Sequence, residues 1–569
     1  MMPLAVSVLA VLHLALASAG PVDGTAAAPY DVVIFGGTSA GIMAAIGAAN
    51  ASLSAAPLRI ALLVVRGTPL GGMTTGGLSD VDTGPRGICG GFTKEFFFRA
   101  GAHYSGVRSW PRKGQECKLS MAIYKAMLAE VASQVTVVEN VDPTITVGKS
   151  GGRITALTAG GVSYGTARSM FLDASYDGDL LRLSGASWTV GREAKAQYGE
   201  PHAGVQAWPF PGSDAGQIFP PAQNYTVNPF ADSANTTLLT FVNGVGLGAA
   251  GSADKKVMSY NFRICLTTTA SNKVPLPKPA NYAEKDYELL RRYLAVDPTK
   301  HALHINECPG GHRQPGCGMF IMRTLGLPAN VTDPEKLDLN TLGPISSNAI
   351  GMSWGWPLGT ARERQEIYQR HKDYDQGLLY FLSTSSSVPE KMRTEMASYG
   401  LCKDEFVETE NWPPQLYVRE SVRMVTDYML IEGAPHAPLS VVEGRNCTLP
   451  LGQSVGLGNW GIDVHQVQRV ALQDLRDGHW RTVDEGDLEV HAGEFEVPFG
   501  SIVPKAGEVA NLLVPVCIAA SHLGYVEELY MLASYYTLYT PFIHLYCRMC
   551  TYVHPSYMYM HHILHLTRL

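Results

Sequence analysis

The chain lacks three features that mark broad functional classes. Apart from Cys547 and Cys550 it has no closely spaced cysteines, so neither an iron–sulfur cluster nor a reactive Cys-x4-Cys disulfide is indicated. It has no excess of basic charge, since 44 Lys and Arg stand against 51 Asp and Glu, which argues against a nucleic-acid partner. After the first nineteen residues, no apolar run is long enough to form a stable membrane span. Glycine, in contrast, is abundant at 58 residues and suits an α/β protein with many tight turns.

The N-terminal segment predicts export. Residues 1–19 form an apolar run that ends in Ala17-Ser18-Ala19, the small-x-small pattern of a signal-peptide cleavage site. An uncleaved anchor is the alternative for this run. We therefore expect a secreted protein, or one in the lumen of the secretory pathway. Five Asn-x-Ser/Thr glycosylation sequons point the same way, at Asn50, Asn224, Asn235, Asn330 and Asn446. In that setting Cys308 and Cys317 could close a short disulfide loop.

A glycine turn near the start of the mature chain is its most informative feature. The apolar residues 32–35 run into Gly36-Gly37-Thr38-Ser39-Ala40-Gly41 and then into a helix of small residues. This order is typical of the first βαβ unit of a nucleotide-binding domain, where backbone N–H groups face a pyrophosphate. Thr38 stands where Gly-x-Gly-x-x-Gly has its second glycine, so an ordinary βα turn is the alternative.

The rest of the chain continues an α/β pattern. Residues 58–65 predict a second buried strand, but Arg66 follows it where a ribose-binding carboxylate is expected, which leaves the ribose to water or backbone. A flexible loop is predicted at 70–77 and a hairpin at 154–164 that turns at Gly160-Gly161. Other predicted elements are helices at 117–133, 363–382 and 415–430, strands at 135–139, 169–173 and 511–519, and a strand and turn at 497–504.

Several motifs together resemble one family. The chain is similar to a secreted branch of the FAD-dependent oxidoreductases, often labelled xanthan-lyase-like, whose flavin domain is shared with the flavin-binding chain of heterodisulfide reductase. The resemblance extends from about residue 30 to His522. Its motifs lie at 36–41, 70–78, 172–180 and 415–420, with further similarity at 260–267, 275–279, 369–373, 459–465 and 497–505.

The resemblance implies a fold and a domain order. The fold class is α/β, an FAD/NAD(P)-binding Rossmann-like domain of the glutathione-reductase type with an inserted cap or substrate lobe. After the signal peptide at 1–19, residues 30–200 form the first part of the FAD-binding domain. Residues 201–405 form the inserted lobe, and residues 406–522 return to the FAD-binding domain. Residues 523–569 form an aberrant tail, which has no acidic residue after Glu528.

The resemblance also implies a set of residues that bind FAD. Those of the glycine turn would face the pyrophosphate: Gly36, Gly37, Thr38, Ser39, Ala40 and Gly41. Gly71, Gly72 and Met73 would approach the flavin from the second loop. Asp177 and Asp179 would accept hydrogen bonds from ribityl or ribose hydroxyls. An Asp-Gly turn with Asp179 as a helix N-cap is the alternative for that pair.

Residue types suggest which groups act on the substrate. His465 and His522 are candidates for acid/base catalysis because imidazole titrates near neutral pH. Arg263 could bind an anionic substrate. Arg419, Glu420 and Arg423 are expected on one helix, where they would form an ion-pair face. No metal site is predicted.

We therefore expect a secreted FAD-dependent oxidoreductase that oxidises an unidentified small organic donor. The first alternative is a truncated, catalytically inactive binding protein, because the sequence departs from the family pattern after His522. The second is a polysaccharide lyase, which only the family label suggests. The sequence contains no indication of oligomeric state.

Overall fold

The computed structural model describes most of the chain between Tyr30 and Leu523. The described ranges are 30–52, 56–81, 90–207, 217–218, 224–225, 227–296, 305–306, 319–325, 336–432, 439–441, 454–458, 462–490 and 495–523. The predicted signal peptide, the Cys308–Cys317 pair, the sequons at Asn330 and Asn446 and the tail beyond Leu523 lie outside the described residues.

The described chain contains helices of very different lengths. The helices are α1 Ser39–Ala51, α2 Met73–Gly76, α3 Gly91–Ser105, α4 Cys117–Ala129, α5 Asp179–Ser184, α6 Lys195–Tyr198, α7 Glu288–Val296, α8 Ala361–Thr384 and α9 Glu390–Ser398. Among the described residues, no helix combines the length and apolar character that a bilayer span requires.

Short strands alternate with these helices. The first thirteen strands are β1 Val32–Phe35, β2 Ile60–Val65, β3 Val135–Val141, β4 Ile145–Ser150, β5 Arg153–Ala159, β6 Val162–Tyr164, β7 Met170–Asp173, β8 Trp188–Thr189, β9 Gln217–Ile218, β10 Asn224–Tyr225, β11 Gly244–Val245, β12 Ile264–Thr267 and β13 Lys273–Val274. The others are β14 Phe320–Thr324, β15 Leu337–Thr341, β16 Gly400–Cys402, β17 Arg423–Met424, β18 Leu430–Glu432, β19 Leu439–Val441, β20 Ser454–Gly458, β21 Ile462–Val464, β22 Gln468–Gln473, β23 Trp480–Glu485, β24 Leu488–Val490, β25 Phe495–Pro498 and β26 Leu512–Leu513.

A parallel five-stranded sheet organises the N-terminal part of the described chain. Its order is β26-β7-β1-β2-β3, and Val32 of β1 pairs with Ile60 on one side and Met170 on the other. Every residue of β1 is buried, as expected for a parallel strand with both faces covered. Helix α1 is buried from Ser39 to Ala49, because its small side chains allow close packing. The sheet therefore fixes the N-terminus of α1 at its carboxyl edge.

A second five-stranded sheet, antiparallel, has the order β13-β16-β12-β15-β14. A disulfide between Cys265 of β12 and Cys402 of β16 joins two neighbouring strands across 137 residues of sequence. A four-stranded sheet, β10-β23-β22-β11, and several two- and three-stranded sheets complete the architecture. The disulfide therefore closes a long loop within one sheet, a pairing that cysteine spacing did not indicate.

Most predicted helices and strands are confirmed with small shifts of their ends. The hairpin turns at Gly160-Gly161 between β5 and β6, and the helix predicted at 363–382 is α8. The strand predicted at 511–519 is wrong in length, because only Leu512 and Leu513 pair with β7. The domain boundaries at 200, 405 and 522 stay predictions.

The helix predicted at 415–430 is wrong. Residues 415–422 form no helix, and β17 and β18 follow them. Tyr417 bridges Asn261, and Met424 bridges Ala519. Almost every side chain from Gln415 to Met424 is buried, so successive residues reach opposite sides of an extended segment. Arg419, Glu420 and Arg423 consequently lie inside the protein.

Candidate active site

A cavity of about 370 Å³ lies at the carboxyl edge of the parallel sheet, where α/β proteins commonly bind ligands. We call it the sheet-edge cavity. Its volume is within the range of about 300–1,000 Å³ that is usual for small-molecule sites. The described residues that line it come from 35–38, 65–69, Gly72, 143–145, 175–177, Asp179, 182–183, Trp356, 359–361, 364–365, Tyr368 and 415–416.

The glycine turn forms one wall of this cavity. Gly36 has φ +110°, and a Cβ there would lie 2.5 Å from the carbonyl carbon of Ala174. The Thr38 hydroxyl donates to the Ala174 carbonyl at 2.7 Å and accepts from the Gly41 N–H at 3.2 Å. Thr38 is therefore the N-cap of α1 and also holds the turn against the loop after β7. This arrangement puts a helix N-terminus, which favours anions, at the cavity.

The second glycine loop packs against the first and is not the flexible loop that its composition predicted. The Gly71 N–H donates to the Gly37 carbonyl at 2.6 Å, and the Ser39 hydroxyl donates to the Gly71 carbonyl at 3.0 Å. The Met73 N–H donates to the Tyr176 hydroxyl at 2.9 Å. Gly36, Gly37, Thr38 and Gly72 thus line the cavity. The other predicted residues of the two loops are buried behind its wall: Ser39, Ala40, Gly41, Gly71 and Met73.

Asp177 and Asp179 line the cavity but already have protein partners. Arg364 of α8 donates to both oxygens of Asp179, at 2.6 and 3.0 Å, and the Trp356 indole donates to Asp177 at 2.6 Å. Gly178 is the N-cap of α5 and Asp179 is its first residue, so the N-cap alternative for Asp179 is wrong by one position. Burial raises the pKa of Asp177, although the Arg364 charge acts in the opposite direction. The pair thus joins the sheet edge to α8.

Arg182 is a cavity residue that the sequence analysis missed. Its Nη2 donates to Asp179 at 3.0 Å, whereas its Nε is buried without a hydrogen-bond partner. A buried donor in that state costs about 1–3 kcal/mol, so a bound acceptor there would be favourable. Thr360 and Ala361 add a second helix N-terminus, that of α8, to the lining. The cavity therefore offers a guanidinium donor and two helix N-termini to an anion.

The residue after β2 is Arg66, at the position where a ribose-binding carboxylate was expected. Arg66 lies there instead and forms an ion pair with Asp142, at 3.0 Å, just after the neighbouring strand β3. Asp142 also accepts from the Thr144 N–H at 2.8 Å. A carboxylate is thus present at this edge of the sheet, but it comes from β3 and two protein donors already bind it.

His522 lies in a buried ionic network with Glu193, Glu420 and Arg423, which we call the Arg423 network. His522 Nδ1 is 2.8 Å from Glu420, and the His522 N–H donates to Glu193 at 2.8 Å. Arg423 binds Glu420 and also donates to Glu193 at 2.6 Å. Burial alone would raise the pKa of Glu420, but the charges of His522 and Arg423 outweigh it and lower the pKa. His522 does not line the sheet-edge cavity.

His465 lies on the other side of the 415–423 segment. Its Nδ1 is 3.2 Å from the Asn348 amide, which in turn accepts from Arg419 at 3.0 Å. The nearby carboxyl of Asp487 has its pKa raised to about 7, because burial outweighs the His465 charge. His465 is likewise outside the lining of the cavity. The structure thus does not bring the two predicted catalytic histidines to that cavity.

Two further clusters are ion pairs between protein groups. Arg263 donates to Asp338 from Nε and Nη2, each at 3.0 Å, so its guanidinium already has a carboxylate partner. Glu116, Asp404 and Glu405 come close enough for a metal, but the Lys336 ammonium binds all three carboxylates. This acidic group therefore already binds a lysine ammonium.

The family assignment follows from comparison with known proteins. The sequence profile of the FAD dependent oxidoreductase family matches residues 31–525. The chain is a member of this family. FAD is therefore its cofactor, and the fold is the Rossmann-like α/β fold that binds FAD or NAD(P). The unpartnered Arg182 Nε and the glycine turn at an open helix N-terminus fit the diphosphate of that cofactor.

Solved structures resemble this FAD-dependent oxidoreductase only in part. Thioredoxin reductase from T. acidophilum is 17% identical over 30% of this chain and 40% of its own, with a TM-score of 0.16. GidA from Aquifex aeolicus is 14% identical over 56% of this chain and 51% of its own, with a TM-score of 0.20. The aligned part thus spans about half or less of each of these proteins. The comparison with curated proteins gives no match.

Proposed function

We propose that this protein is a secreted FAD-dependent oxidoreductase that oxidises a small organic donor and passes the electrons to oxygen or another acceptor. The observation that carries the site is the sheet-edge cavity, where the turn at Gly36 and the unpartnered Arg182 Nε lie together. The leader pattern at 1–19 and the sequons support secretion and glycosylation. Family membership supports the redox chemistry.

The chain's own groups have distinct roles in this proposal. Thr38 caps α1 and keeps its first turn at the cavity, so that turn and Arg182 would hold the diphosphate. Gly72 would lie nearest the ring system, because among the predicted residues of the second loop it alone lines the cavity. Arg364 and Asp179 fix α8 as the opposite wall. When bound, FAD supplies the hydride acceptor.

The visible spectrum of the purified protein tests the proposal. We expect flavin absorption bands, and bleaching of those bands without oxygen when a panel of alcohols, amines and sugars is added. A protein that stays colourless after reconstitution with FAD would overturn the assignment. Cleavage of a polysaccharide without any bleaching would favour a lyase instead.

A glycine variant tests where the cofactor binds. In Gly41→Ala the new Cβ would lie 2.0 Å from the Gly36 carbonyl oxygen, so the turn cannot keep its shape. We expect this variant to retain far less FAD per protein than the wild type. Gly90→Ala is the matched control, because nothing lies within 4 Å of its Cβ and its φ is not positive. Equal FAD content in both variants would place the cofactor elsewhere.

Secretion is tested separately. We expect expression of the full chain in eukaryotic cells to yield protein in the medium that begins after Ala19 and shifts in mass on treatment with a glycosidase. Retention inside the cells with an intact leader would contradict the secretion proposal and leave the flavin proposal unaffected.

A further inference from the structure

A turn at the protein surface, residues 231–237, lies between β10 and β11, and we call it the Asp232 turn. Phe230 and Leu238 form an antiparallel bridge at its base. None of the residues of the turn is buried. Phe230, in contrast, is 4% exposed and packs edge-on against the Trp480 ring, at 5.0 Å between ring centres. The turn is therefore a surface feature on a fixed base.

One carboxylate holds the turn in shape. Asp232 accepts from the N–H groups of Thr236 and Thr237, at 3.1 and 2.6 Å, and from the Thr236 hydroxyl at 3.1 Å. The hydrogen bond from the Thr236 N–H, together with the others, lowers the pKa of Asp232 to about 2. The carboxylate is therefore ionised near neutral pH, and none of these bonds uses the side chain of Asn235.

The Asn235 side chain lies in the same turn without a partner. Its backbone has φ +57°, in the left-handed region that Asn adopts more readily than most residues. The backbone N–H donates to the Asp232 carbonyl at 3.3 Å, but the side-chain amide forms no hydrogen bond with any described residue. Asn235 is partly exposed, and both residues after it are exposed. Its amide nitrogen can therefore be modified without breaking a protein contact.

The turn also contains one of the glycosylation sequons. Residues 235–237 read Asn-Thr-Thr, which fits the Asn-x-Thr pattern. A glycan is bulky and needs a position at the surface, which this turn supplies. The sequon at Asn50 differs, because it lies at the end of the buried helix α1 and the hydroxyl of its Ser52 already binds Gln134. At Asn235, a sequon therefore coincides with a surface turn and an unused amide.

We propose that Asn235 carries an N-linked oligosaccharide. In the transfer, Nδ2 of Asn235 forms a bond to C1 of the first sugar and loses one proton, while the bond between C1 and a lipid diphosphate donor breaks and the diphosphate leaves. This site rests on the proposed secretion, because the lipid-linked donor belongs to the secretory pathway. It does not rest on the redox chemistry, since no residue of the Asp232 turn belongs to the described lining of the sheet-edge cavity.

Peptide mass spectrometry of the protein secreted by eukaryotic cells is the test. An amidase that removes N-linked glycans converts each modified asparagine into aspartate, so we expect the peptide that contains position 235 in the converted form. Thr237→Ala removes the hydroxyl that the sequon requires and should abolish this conversion. Thr236→Ala is the matched control, because it removes the hydroxyl bond to Asp232 in the same turn and keeps the sequon. The conversion should persist in this control.

Two outcomes would overturn the site: an unmodified Asn235 in the wild-type protein, or undiminished conversion in Thr237→Ala. An unmodified Asn235 in protein with a cleaved leader overturns this site alone. An unmodified Asn235 in protein with an intact leader contradicts the proposed secretion as well. Circular dichroism of the two threonine variants, which should be the same, shows that loss of the glycan is not a failure to fold and requires no flavin signal.

Discussion

The sheet-edge cavity and the Arg423 network both contain charged residues that residue type alone would mark as functional, yet their hydrogen bonding differs. In the Arg423 network, Glu193 and Glu420 are bound by Arg423 and His522. At the sheet-edge cavity, Arg182 keeps a buried Nε donor without a partner. The comparison shows that residue type locates polar clusters, and that the hydrogen bonds of each group show whether the protein itself already uses it.

The largest effect on stability is expected from a substitution that breaks the Arg423 network. Arg423→Met leaves two buried carboxylates without their shared cation, so we expect the free energy of unfolding to fall by about 3–5 kcal/mol. Denaturant unfolding followed by circular dichroism measures this loss. The exposed Arg362→Met, at a side chain that is 90% accessible, is the control and should cost little. A loss below about 1 kcal/mol in Arg423→Met would show that the network is not structural.

The next effect concerns pH. Glu200 accepts from the Ser521 hydroxyl at 2.5 Å and lies beside the Arg423 network. Burial raises its pKa from 4.5 to about 7, so the folded protein keeps a proton that the unfolded chain releases between these values. Its stabilising contribution is therefore complete below pH 4.5 and is lost as the pH rises through 7.

Glu200→Gln tests this contribution, because it removes the titration and keeps the shape. We expect the difference in unfolding free energy between wild type and variant to change by up to about 3 kcal/mol from pH 4.5 to 8, with the wild type losing stability. Thermal unfolding across that range measures it, and the exposed Glu366→Gln is the control. A difference that does not vary with pH would refute the assigned protonation.

The third effect concerns the sheet-edge cavity and its affinity for FAD. Arg182→Met removes the unpartnered donor of the sheet-edge cavity, so we expect FAD to bind ten- to a hundredfold more weakly, from about 1.5–3 kcal/mol for a charged hydrogen bond. Stability without FAD should change by less than about 1 kcal/mol. Titration of the FAD-free protein with FAD measures the affinity. An unchanged affinity would mean that Arg182 does not contact the cofactor.

The smallest effect concerns His465. Because this residue does not line the sheet-edge cavity, we expect His465→Gln to leave both the rate of flavin reduction by a donor and its pH profile unchanged. Stability should change by about 0.5 kcal/mol or less at this partly exposed site. Loss of one limb of the pH profile would restore the acid/base role that the sequence suggested.

Local signals explain what could be predicted. The strand β1, the turn at Gly36 and the helix α1 follow one another within about twenty residues. Each has a local sequence pattern of its own, so the sequence alone was sufficient to predict this unit. The helix prediction for the 415–424 segment failed because both faces of this segment are buried. Its apolar residues Leu416, Val418 and Val422 alternate as in an extended chain. Tertiary burial, not helical periodicity, set that pattern.

Partners that are distant in sequence explain the rest. Arg364 binds Asp179 across 185 residues, and Cys265 bonds Cys402 across 137, and neither pairing has a local signature. Arg182 could have been noticed three residues after Asp179 on the same short helix, which is the spacing of an ion pair. Its free Nε, however, is visible only when all of its neighbours are in place.

The ion pair between Arg364 and Asp179 has a consequence for the order in which the nascent enzyme folds and binds its cofactor. A nascent chain that has emerged only to the end of β7 displays the glycine turn without its opposite wall, since α8 is still to be synthesised. Closing so long a loop is slow compared with forming β1 and α1. Loading with FAD is therefore expected late in biosynthesis, after more than four hundred residues have been translated and folded together.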